Sequence, residues 1–149
     1  APNGLVVIGK HRSADARSLS MLAIAKELFR VVTPEVGPIR NSAQVLEVAR
    51  QVGIDSAVRV IVNRANYGVS MADIAGALGR PVSATIVSSG PHAVAAANDG
   101  VPILTKFPND RMSLDLHGVA RLLTQEAAGA RSSVRKPWWA SLAARLSNA

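Results

Sequence analysis

The chain contains no cysteine. That excludes a disulfide scaffold, a thiolate metal site and a cysteine nucleophile. Aromatic residues are scarce too, with two Trp, two Phe and one Tyr in 149 residues, so valine, isoleucine, leucine and alanine must fill the core. No apolar run approaches the roughly 20 residues that a membrane-spanning helix needs. The opening residues, APNGLVVIGKHR, lack the charged start and long apolar stretch of a secretory signal. His11, His92 and His117 lie far apart without HxxxH or HExxH spacing, and no GxSxG is found. Neither a metal centre nor a serine hydrolase is expected. Acidic residues number 10 against 17 Lys and Arg, a formal net charge of +7. These absences suit a cytoplasmic protein.

What is present describes an ordinary globular interior: 48% hydrophobic residues, 18% charged, and a mean hydropathy of +0.20. The length suits one domain. Residues 5–8 (LVVI) read as a short buried strand, and residues 13–29 as a helix with Leu19, Leu22, Ala23 and Phe29 on one face. Val31 and Val32 form the next strand. A helix follows, with Val45, Val48, Ala49 and Val52 inward at i, i+3, i+4, i+7 and Gly53 closing it. Residues 58–62 are a strand of continuous β-branched character, as expected where both faces are covered. Ser70 fits an N-cap, with Asp73 three residues on and Met71, Ile74, Ala75 and Leu78 inward before Gly79. Residues 82–87 are another strand, Pro91 opens a short Ala-rich helix, and Leu116, Val119, Ala120 and Leu123 mark a last long helix. This alternation predicts an α/β fold with a mostly parallel sheet in three layers. The domain is expected over 1–126, a basic linker over 127–137 and a C-terminal helix over 138–149.

Residues 30–65 form one βαβ unit, and its words are specific. VVTPEVGPIRNSAQVLEVA and VRVIVNRA resemble the MinD/ParA group of deviant P-loop ATPases, above all the branch of CpaE/TadZ and MinD that places pilus-assembly and cell-division machinery. The resemblance covers roughly residues 5–123. It implies half of a SIMIBI-type P-loop fold, the C-terminal half.

The reactive parts of such an ATPase are missing from this sequence. The family's phosphate loop, KGGxGKT, is found nowhere. Residues 4–11 (GLVVIGKH) match GxxxxGK, but the bulky, β-branched centre wants to be a strand rather than a cradle of exposed amides. The resemblance places an Asp after the first strand; here Gly9 is followed by Lys10, His11 and Arg12, which cannot hold magnesium. ATP hydrolysis is not expected, and no catalytic residue is assigned.

The base-binding edge is better kept. In the resembling family an Asn at the end of this strand hydrogen-bonds adenine, which implies a nucleotide-binding role for Asn63 and Arg64, for Ser88 in the next strand-end loop, and for Pro102 in a turn resembling the family's GxP. Val87 departs from the family, which often carries Pro there. The alternative is that Asn63 caps a turn and Arg64 is a solvated charge. No cofactor is expected; ATP or ADP would have to bind without a phosphate anchor.

The tail carries the charge. After Glu126 come Arg131, Arg135, Lys136 and Arg145 with no acidic residue, which leaves 13 basic and 10 acidic residues for the rest. At 100° per residue Trp138, Leu142, Leu146, Trp139 and Ala143 share about 140° of arc. This amphipathic helix, with Lys136, Trp138, Trp139, Leu142, Arg145 and Leu146 as contacts, suits an anionic membrane surface. The alternative is that the Trp pair docks on the domain itself. A half-domain should also leave a sheet edge that invites a homodimer or a partner chain. The function expected is a non-hydrolysing localisation or scaffold protein for pilus assembly, septum or cargo positioning, cytoplasmic and peripheral at the inner membrane surface. The alternatives are an ATP-binding subunit whose phosphate loop lies elsewhere and a non-specific DNA binder of the partition type.

Overall fold

A computed structural model describes residues 27–51 and 53–129. Three parallel strands, β1 (Leu28–Val32), β2 (Val58–Asn63) and β3 (Ala84–Ile86), form a sheet in that order. The helices are α1 (Val36–Gln51), α2 (Met71–Leu78), α3 (Gly90–Asn98), the single turn α4 (Ile103–Lys106) and α5 (Arg111–Gly129). A 3-10 turn at Asp55–Ala57 leads into β2. This is the expected α/β architecture, a parallel sheet flanked by helices.

The register places Val32 beside Val62 and Arg30 beside Val60. Side chains alternate across a strand, so these residues share one face. There Val32, Val60 and Val62 pack with Ile39, Leu46 and Ala49 of α1 and with Ile74 and Leu78 of α2. Fully burying each such aliphatic side chain is worth about 1.5–3 kcal/mol, which makes this cluster the main source of stability. Ile61 and Ile86 are buried outside that cluster, and α5 packs along β3. Central β2 is covered on both faces, as its unbroken Val-Ile run requires.

The caps follow from sequence. Ser70 Oγ accepts from the Asp73 amide at 3.2 Å, and Gly79 closes α2 in the left-handed conformation. Gly53, at φ +78°, ends α1 while the Ile54 amide reaches back to the Ala49 carbonyl.

Four expectations need correction. Leu28 and Phe29 belong to β1, not to a helix running to residue 29, because Leu28 already pairs with Val58. The buried stripe of α1 is Ile39, Ser42, Leu46 and Ala49; Val45 and Val48 are 46% and 57% exposed. Ser42 hid this stripe, since a hydroxyl breaks the apolar period. It is buried because Arg30 Nε of β1 donates to its Oγ at 3.0 Å. Strand β3 ends at Ile86 rather than Val87, whose amide turns away to Asp115 Oδ2 at 3.0 Å. Helix α5 continues through Gly129, so residues 127–129 are helical rather than linker, in keeping with Ala127 and Ala128. The strand expected at 5–8, the GxxxxGK match, Gly9 and Val52 lie outside the described residues.

Candidate functional site

In open parallel sheets ligands collect beyond the carboxyl ends of the strands. Here those ends are 33–35 after β1, 64–70 after β2 and 87–89 after β3. Side chains and backbone stitch the three connections together. The Val69 amide donates to the Pro34 carbonyl at 2.9 Å, and the Ala65 amide to that of Ile86 at 3.0 Å. Gly68, at φ +74°, lies so close to Pro34 that a Cβ there would sit 2.1 Å from its carbonyl oxygen. Only glycine permits both the left-handed backbone and this approach.

Asn63 closes β2 half-buried, and its Oδ1 accepts from the Arg64 amide at 2.9 Å. Its Nδ2 has no partner among the described residues. Arg64 is the one non-glycine residue with positive φ among the described residues, at +61°, and its Nη1 pairs with Glu35 at 3.7 Å. Asn63 lies beside Ile86 in the register, two residues before Ser88. The Ser88 amide donates to Asn66 Oδ1 at 2.7 Å, while Asn66 Nδ2 donates to the Ser88 carbonyl at 3.4 Å. Asn63, Arg64 and Ser88 are thus gathered at adjacent strand ends. Pro102 is not joined to them: it caps α4 just before Ile103, and its carbonyl accepts from Thr105 and Lys106.

Sequence reasoning missed the residues that hold loop 87–89 from outside. Asp110 Oδ2 accepts from Ser89 Oγ at 2.7 Å and lies 2.6 Å from His92 Nδ1, and its Oδ1 accepts from the Met112 amide at 2.9 Å. The bonds from His92 and Ser89 hold the Asp110 carboxyl below the usual aspartate value, while burial pulls weakly the other way. His92 stacks on Phe107 with centroids 4.3 Å apart. An Asp just before a helix is a legible N-cap signal; its second task is not legible.

A cleft of about 510 Å³ opens between His92, Lys106, Phe107 and Arg111. Lys106 there pairs with Asp99 and Arg111 with Asp115, and the Asp110 carboxylate is engaged by His92 and Ser89. Among the described residues no group of His, Cys, Asp or Glu is arranged to hold a metal ion. No helix among them is long and apolar enough to cross a membrane. The expected membrane contacts Lys136, Trp138, Trp139, Leu142, Arg145 and Leu146 lie outside the described residues.

The chain is similar to a ParA family ATPase from Chlorobium tepidum TLS, with a TM-score of 0.64 and 25% identity over 69% of this chain and 43% of that one. The fold is half of a ParA-like P-loop fold. The chain spans less than half the length of that ATPase. No protein-family model matches the chain, and no curated protein matches it.

Proposed function

We propose that this chain is a ParA/MinD-like localisation or scaffold module that holds partners at an anionic membrane surface without hydrolysing ATP. One observation carries the reading: most backbone amides of the described strand-end turns 64–69 and 87–88 are already engaged by protein oxygens. The amides of Arg64, Ala65, Tyr67, Val69, Val87 and Ser88 all donate to protein oxygens. A phosphate cradle needs a row of amides left open to the ligand. Together with the lack of KGGxGKT in the sequence, this favours a fold that keeps the frame of a nucleotide switch and not its chemistry.

The basic, Trp-bearing tail supplies the membrane contact, and a second copy or a partner chain completes the half-fold and strengthens attachment through two tails. Pilus-assembly or septum-positioning machinery is the class of cargo that the resemblance favours. Sedimentation with vesicles tests this. The protein should pellet with anionic vesicles and not with neutral ones, and Trp138→Ala with Trp139→Ala should release it while leaving any DNA binding nearly unchanged. A wild-type protein that ignores anionic vesicles contradicts the reading.

A second reading is favoured by Asn63 Nδ2, which has no partner among the described residues, and by the clamped loop 87–89: a subunit that binds an adenine nucleotide, with the phosphate loop supplied from elsewhere. Equilibrium dialysis with magnesium and ATP, with Asn63→Ala as control, decides it. No binding at millimolar nucleotide removes that reading.

A further inference from the structure

Loop 87–89 is held residue by residue, and mostly not by the sheet it leaves. The Val87 amide, which would extend β3, goes to Asp115 Oδ2 at 3.0 Å. Ser89 Oγ goes to Asp110 Oδ2 at 2.7 Å. Both carboxylates belong to the start of α5, Asp110 as its cap and Asp115 one turn further on. Only Ser88, through Asn66, is tied to the β2 side.

Asp110 cannot release the loop and remain an undisturbed cap. One carboxylate holds Ser89 and His92 through Oδ2 and the Met112 amide through Oδ1, and the Asp110 carbonyl accepts from Leu114 at 3.0 Å. Asp115 is likewise shared, taking Arg111 Nε at 3.1 Å on Oδ1 and the Val87 amide on Oδ2. Charged acceptors make the stronger class of hydrogen bond. Loop 87–89 is therefore tied to α5 through two carboxylates and to the β2 side through the Asn66 amide group.

We propose that Asp110 and Asp115 are positioning residues that let α5 set the place of loop 87–89, so that ligand occupancy at the strand ends and order in the first turns of α5 are linked. The ligand half of this statement rests on the second reading above, in which the loop lines a base. Linkage is reciprocal: whatever displaces α5 must weaken the site by the factor with which the ligand steadies α5.

Amide hydrogen exchange on the full chain, without ligand and with ADP, tests it. Asp115→Ala should speed exchange at Val87 by about tenfold or more, since a charged acceptor is lost. Asp115→Asn keeps an acceptor oxygen and should restore most of the protection. Arg111→Ala, which leaves the carboxylate in place, should leave Val87 slow. In the wild type, ADP should slow both Val87 and Met112, and in Asp115→Ala it should slow Met112 far less. Unchanged Val87 exchange in Asp115→Ala overturns the tether, as does ADP that slows the loop but not α5. If ADP does not bind the wild type, the base-lining reading fails, and the Val87 comparison among the three variants still decides the tether.

Discussion

Gly68→Ala isolates the one close approach on which the strand-end loops depend. Gly68 and Gly79 both hold left-handed backbone, at φ +74° and +63°. An alanine in that conformation costs about 1–2 kcal/mol at either site. The surroundings differ. A Cβ at Gly79 would meet nothing within 4 Å, whereas at Gly68 it would lie 2.1 Å from the Pro34 carbonyl oxygen, well inside ordinary contact at 3.4–4 Å. The loop would have to retreat by more than an ångström. That retreat breaks the 2.9 Å bond from the Val69 amide to the same carbonyl, a loss of about 1 kcal/mol, and pulls on buried Pro34. The expected totals are about 2–3 kcal/mol for Gly68→Ala and about 1–2 kcal/mol for Gly79→Ala. Urea unfolding followed by far-UV circular dichroism measures both, with equal slopes confirming that stability alone has changed. If Gly68→Ala is no more damaging than Gly79→Ala, the loops are not stitched as described.

Leu46→Ala, at a side chain 1% exposed, should cost about 2–5 kcal/mol, while Val45→Ala next to it should cost well under 1 kcal/mol; urea midpoints that reverse this order would place the other face of α1 inward. Ser70→Ala removes the hydroxyl that accepts from Asp73 and should destabilise by about 1 kcal/mol in the same assay. Because its folded-state value is lowered, Asp110 adds stability that is complete above the ordinary aspartate pKa and is lost as pH falls through the lowered one. Asp110→Asn should therefore flatten the acid limb of stability against pH, and His92→Ala should return the Asp110 carboxyl toward its usual value in a carbon-detected NMR titration; an unmoved value would deny the contact.

Much of the fold was legible in the sequence because the sheet is written in β-branched residues. The run VRVIVN can be neither amphipathic nor solvated, and it became central β2. Ser70 with Asp73 and the glycines at 53 and 79 marked helix ends through local chemistry that tertiary packing did not overrule. The inward face of α1 was not legible, because Ser42 takes its place in the core only through Arg30, 12 residues away in the chain. The strand-end site divided in the same manner. Asn63 and Arg64 could be placed by following β2 to its end. Asn66, Asp110 and Asp115 could not, since they act on loop 87–89 across 22, 21 and 28 residues. Periodicity reports what a residue does for its own element, and these serve another one.

Phosphate release from ATP with magnesium, measured on the 149-residue chain alone and with anionic vesicles, bears most directly on the claim that a nucleotide-switch frame is used here to hold partners. The expected result is no release above buffer in either case, while the protein pellets with the vesicles. Sustained release that disappears in Asn63→Ala would contradict the account.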